Sequence, residues 1–124
     1  MSRQRGGATL LAAAVLGLIA WLGVVTIQLA VAMDHRMALE TAADAAALAA
    51  VGAAVEGADP VAAATRLASA NGASLTTCRC PAYRGAGYEA AVVVSSVIEL
   101  PLIGIRTIEA AASAEYAGAL TADP

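Results

Sequence analysis

The residues with the strongest claim to chemistry are Cys78 and Cys80, the only two cysteines of the chain, set one residue apart in TTCRCPAY and followed by Pro81. A closed zinc site needs four ligands, and the sequence supplies only His35 as a third, so metal binding is the weakest use of this pair. A redox centre fits little better, because the usual C-x-x-C motif opens a helix that stabilises the thiolate, whereas this C-x-C falls at the end of a predicted strand. Outside the cytoplasm a disulfide is the default. Residues i and i+2 of a fully extended strand have Cα atoms about 6.6 Å apart, near the upper limit for a bridge, so a bond between the two cysteines requires the strand to turn. Pro81 and the glycines after it favour such a turn. The loop closed would be very short and its entropic contribution small. A local Cys78–Cys80 bond therefore ranks ahead of a bond between subunits, and free thiols come third.

Little else in the chain has catalytic character. His35, the single histidine, stands next to the end of a long apolar run, where an interfacial polar residue is ordinary. No G-x-S-x-G elbow surrounds a serine. The stretch GGATLLA follows no strand and leads directly into apolar sequence, so it is not a phosphate loop. The acidic residues are spread singly, without paired carboxylates or a calcium-binding loop pattern. The expectation is a protein that is not an enzyme, with no catalytic, cofactor or metal residues.

The elements that carry these residues begin with a membrane segment. From Gly6 to Met33 no residue is charged, and roughly 20 apolar residues suffice to cross a bilayer. Mean hydropathy is +0.73 and 60% of the 124 residues are hydrophobic, an excess concentrated in this run. Arg3 and Arg5 precede it, while the chain after Met33 is predominantly acidic, which keeps the amino terminus in the cytoplasm and sends the body outside. The same balance excludes the clustered basic surface that nucleic acid requires. All seven basic residues are Arg. The competing reading is a signal peptide cleaved after Ala30-Val31-Ala32, but the apolar run is longer than an ordinary signal core. The sequence thus divides into a basic leader at 1–7, a transmembrane helix at 8–33 and an extracytoplasmic head at 34–124.

The helix is expected to continue to about residue 56, because Asp34 to Val55 is rich in Ala and lacks Pro. Arg36, Glu40 and Asp44 form one polar stripe, and Leu48, Val51 and Val55 an apolar one. Ala13, Gly17 and Ala20 would allow close helix approach within the membrane, and Trp21 lies mid-span. Gly57 should end this helix, with Asp59-Pro60 opening a second one that stops at Asn71-Gly72. Alternating β-branched residues then predict three antiparallel strands, SLTTCRC, AAVVVSSVIEL and IRTIEAAASAEYA, joined by the loops PAYRGAGY and LPLIG. Parity puts Glu109 and Glu115 on one face of the third strand, toward solvent. The tail TADP should fray. The fold class is α+β. Its Ala-rich surfaces bury little apolar area each, so marginal stability alone is expected.

RGGATLLAAAVLGLIAWLG, from Arg5, and HRMALETAADAAALAAVGA, from His35, together resemble the TadE/TadG-like proteins of tight-adherence (Flp) pilus systems. The matching positions are the basic leader and glycine, the single apolar helix, Arg36, Leu39 and the run Ala42 to Ala49 with Asp44 as its one charge. ANGASLTTC and EAAASAEYAG are similar to a subset found beside secretion genes in actinobacteria. The resemblance implies processing at Gly6 or Gly7 by a prepilin peptidase. It also implies packing against other pilus or secretion subunits through Ala13, Gly17, Ala20 and Asp44, in a hetero-oligomer or filament. One departure stands out. The glutamate that such pilins carry five residues after the processed glycine is replaced by Leu11 or Ala12, which leaves open an unprocessed, anchored protein. The expected role is a minor pilin-like structural component in the cell membrane. The alternative is a secreted or tethered binding protein, cut after Ala32, that recognises a ligand through Tyr83, Arg84 and Tyr88.

Overall fold

A computed structural model of the chain describes residues 5–84 and 87–118, with side chains described for 6–80 and 87–118. It is an α+β structure of two helices followed by three strands: α1 (Arg5–Val55), α2 (Pro60–Ala70), β1 (Ser74–Arg84), β2 (Gly87–Leu100) and β3 (Gly104–Ala117). The strands form one antiparallel sheet in the order β1-β2-β3. Two units divide the chain, Met1–Met33 and Asp34–Pro124, with the boundary inside α1.

The first unit is the apolar half of α1, with no part of its most hydrophobic window buried. Leucines, isoleucines and valines lie exposed all round it, together with Trp21. A helix that is apolar on every side needs an apolar surrounding. By length and composition it is able to cross a membrane.

The second unit packs helices on one face of the sheet. Leu39, Ala42, Ala43, Ala46, Ala47, Ala50 and Val51 repeat at helical spacing and share one core with Ala64 and Ala68 of α2 and with Ala90, Val92 and Val94 of β2. Val92 and Val94 are the largest fully buried side chains, each contributing about 1.5–3 kcal/mol by burial, while the alanines add roughly a methyl apiece. This corrects the expected apolar stripe of α1. Val51 is buried, but Leu48 is 65% exposed and Val55 is exposed too. Leu48 stands four residues beyond Asp44 and so prolongs the solvent-facing line of Arg36, Glu40 and Asp44 instead of the core.

Both helix ends follow the local chemistry. α1 stops at Val55, where Gly57 has φ +72° and Ala58 donates to the Ala53 carbonyl at 2.7 Å, a conformation other residues rarely take. Asp59 caps α2 by accepting from the amides of Val61 (2.9 Å) and Ala62 (3.2 Å), and Pro60 fills the first helical position. At the other end Gly72 has φ +73° and Ala73 donates to the Ala68 carbonyl.

The strands extend further than the sequence suggests. PAYRGAGY is mostly strand: β1 runs through Pro81 to Arg84 and β2 starts at Gly87. Pro81 has no amide hydrogen to give to a ladder, and β1, an edge strand, accommodates it by a bulge in which Cys80 and Pro81 together stand opposite Ala90. A second bulge places Thr76 as an extra residue between Leu75 and Thr77, and its Oγ1 donates to Ser95 Oγ at 3.1 Å. β2 and β3 pair without interruption from Gly87↔Ala117 to Leu100↔Gly104. The tail TADP lies outside the described residues.

Candidate functional site

The structure joins Cys78 and Cys80 to each other, with Cα atoms 5.1 Å apart. The bond sits within β1 and not at its end, because the strand continues beyond Pro81. The Thr76 bulge shifts the alternation of β1 by one residue. Ala73 and Leu75 turn toward the helices before it, and Cys78 and Cys80 turn the same way after it, half-buried against the core. The two sulfurs therefore stiffen an irregular edge strand on its packed side.

The remaining predicted residues are dispersed. Asp44 is exposed on α1, flanked by the buried alanines 42, 43, 46 and 47. Arg36 and Glu40, one turn apart on the same exposed line, form an ion pair of 3.0 Å. An exposed pair of this kind contributes less than about 1 kcal/mol. His35 is exposed beside them. Ala13, Gly17 and Ala20 lie along one side of the apolar half, exposed, and a Cβ built at Gly17 would meet nothing. Gly6 and Gly7 occupy the first turn of α1. Tyr88 is half-buried against the core, while Tyr83 and Arg84 belong to β1 with side chains outside the described residues.

Two features escaped the sequence. Glu89 of β2 and Glu115 of β3 stand directly opposite each other, so the acids are not all single. Like charges directly opposite disfavour pairing, and nothing in a one-dimensional sequence brings positions 26 residues apart together. Gln28 is the other. Its Oε1 is shielded and has no hydrogen-bond partner, whereas the nearby Thr26 hydroxyl satisfies itself by donating to the Leu22 carbonyl at 2.8 Å. Eleven residues after Gly17, Gln28 lies on the same side of α1.

Among the described residues no three His, Cys, Asp or Glu side chains converge as metal ligands do. An open cleft of about 390 Å³ at the α1–α2 corner is lined by Glu56, Asp59 and Arg66 among alanines, and the carboxylate of Asp59 is engaged there in capping α2. The arrangement offers surfaces for packing and one covalent clip. No family model, no curated protein and no solved structure matches the chain.

Proposed function

We propose that this protein is a non-enzymatic, minor pilin-like component of a tight-adherence pilus or related secretion apparatus, held in the cell membrane by residues 8–33 with its head outside the cytoplasm. The observation that carries this reading is the division of labour along α1. Its first half is apolar and exposed on every side, and its second half lays an alanine face on a small sheet. A soluble domain has no use for the first half, and a simple membrane anchor has no use for a helix that continues as the core of the head.

Function on this reading is packing. In lipid the apolar half associates through close contact and polar side chains, and Ala13, Gly17 and Ala20 give the close approach while Gln28 on the same side, whose Oε1 has no partner, takes part in a hydrogen bond. Asp44 presents one charge from an otherwise alanine-rich segment to a neighbouring subunit. The absence of an acid at Leu11 or Ala12 favours a position outside the regular stack of major subunits.

Crosslinking in intact cells, followed by identification of the adducts, tests the assignment. Pilus or secretion subunits are expected at the helix and the head; adducts confined to unrelated envelope proteins would overturn it. The intact mass of the membrane-extracted protein decides processing at Gly6 or Gly7, since a mass that includes Met1 to Arg5 excludes cleavage.

A further inference from the structure

We propose that the turn between β2 and β3 dips into the bilayer surface on the side of the head, with Leu102 and Ile103 as the inserted side chains. The inference rests on the reading of residues 8–33 as the membrane span and adds a second contact with lipid.

The fold carries this turn to the end of the head at which Asp34 stands. α2 returns along α1: Ala49, six residues before the end of α1, lines one cleft with Arg66, six residues past the start of α2. By the same count Ala70, the last residue of α2, is level with Ala45. β1 then folds back along α2, and Cys78 and Cys80 rest against the core that holds Ala64 and Ala68. β2 reverses again, so it passes Ser74 at Ser95 and continues beyond the end of α2 to Leu100. Those five residues cover about 17 Å of strand, and the eleven residues from Ala45 back to Asp34 cover about 17 Å of helix. The turn at 101–103 therefore stands level with Asp34, His35 and Arg36, the exposed polar residues that end the uncharged run.

What the turn presents is apolar. Leu102 is 66% exposed and Ile103 55%, with Ile105 at 67% and Val97 at 65% behind them. The Ile103 amide donates to the Leu100 carbonyl at 3.1 Å, Pro101 follows that carbonyl, and Gly104 has φ +81°. This closed turn holds Leu102 and Ile103 in the open, while Ile98 and Leu100 are buried on the packed face. Just above it stand one charge of each sign, Glu99 opposite Ile105 and Arg106 opposite Ile98. The interfacial layer on each side of a bilayer is about 5–7 Å thick, or roughly two strand residues, so Leu102 and Ile103 meet the hydrocarbon edge while Glu99 and Arg106 stay among headgroups. The long stem of Arg106 lets its guanidinium reach lipid phosphate from there. Glu89, Glu109 and Glu115 lie five or more residues from the turn, clear of the surface. A protein partner fits this patch less well, because specific interfaces take about 800 Å² from each side and a three-residue turn offers a fraction of that. Lipid sets no such minimum, and each apolar side chain that enters it contributes separately.

The test uses the full chain in phosphatidylcholine vesicles, with part of the lipid carrying a nitroxide quencher on its acyl chain. The Cys78–Cys80 bond leaves an introduced cysteine as the one free thiol. A polarity-sensitive fluorophore on Leu102→Cys should be quenched about threefold more strongly than the same fluorophore on Ser113→Cys, which is exposed on β3 well away from the turn. Trp21, the single tryptophan, reports in the same sample whether the span itself is in lipid. Quenching at Trp21 with equal, weak quenching at 102 and 113 would overturn the inference and leave the span in place. No quenching at Trp21 would overturn the span and the inference with it. A fluorophore at 102 whose emission shifts with the ratio of protein to lipid, and not with the quencher, would show a second copy on the turn and also overturn the inference.

Discussion

Ala46→Leu and Leu48→Ala, two changes two residues apart on α1, should have effects opposite to those that hydrophobicity alone suggests. Ala46 has no exposed surface, and its neighbours Ala42, Ala43, Ala47 and Ala50 are equally enclosed. A leucine there must place three further carbon atoms between helix and sheet. The added burial would be worth about 0.8 kcal/mol per methylene if space existed, but none does, and overpacking of this kind typically costs about 1–3 kcal/mol. The upper part of that range applies, because separating the helix from the sheet weakens every alanine contact along the face at once. Leu48→Ala removes a side chain that is 65% exposed and introduces a better helix former, so its effect should stay within about 0.5 kcal/mol. Hydrogen exchange of the β2 amides, followed by mass spectrometry on the full chain in detergent, reads the difference directly. A loss of 2–3 kcal/mol accelerates exchange of the most protected amides roughly 30- to 150-fold, while Leu48→Ala should leave it within about threefold. Faster exchange in Leu48→Ala than in Ala46→Leu would refute the placement of the alanine face against the sheet.

Three further outcomes follow from local geometry. Gly87→Ala should disrupt the β2–β3 pairing, since its Cβ would lie on the carbonyl oxygen of Tyr116, a backbone atom that cannot swing aside; a loss of about 2–4 kcal/mol and early exchange at the Gly87↔Ala117 end are expected. Asp59→Ala removes the acceptor for two α2 amides and should cost about 1 kcal/mol, recovered largely by Asp59→Ser, with thermal unfolding as the measure. Replacing both Cys78 and Cys80 with serine opens a very short loop and should cost no more than about 1.5 kcal/mol, and on a non-reducing gel the wild-type chain should run without disulfide-linked dimers.

Local signals in the sequence specify much of this fold. The uncharged run to Met33, the Asp59-Pro60 start and Asn71-Gly72 end of α2, and the change to period two after Ser74 each depend on residues close together in the chain, and each element is present. The candidate site was less legible. β1 carries two bulges, and parity counted from Leu75 without the Thr76 bulge puts Cys78 and Cys80 on the wrong face. The proximity of the two cysteines also made them stand out, while the sheet face turned away from the helices, which mixes Ala, Val, Ser and Thr with Glu89, Glu99, Glu109 and Glu115, gave no motif to find.

By itself the sequence determined that the chain has one helix apolar enough to cross a membrane, a second capped helix and three strands, because capping, periodicity and hydrophobic length act within a few turns or a few residues. Only the tertiary structure decided which side of α1 is core. Alanine is compatible with either side of a helix, and its burial depends on where the sheet comes to rest. It alone decided the strand registers, and with them the opposition of Glu89 to Glu115 and the edges on which Arg79, Glu109 and Glu115 stand. Those are long-range pairings set by bulges and close packing, which no local preference encodes.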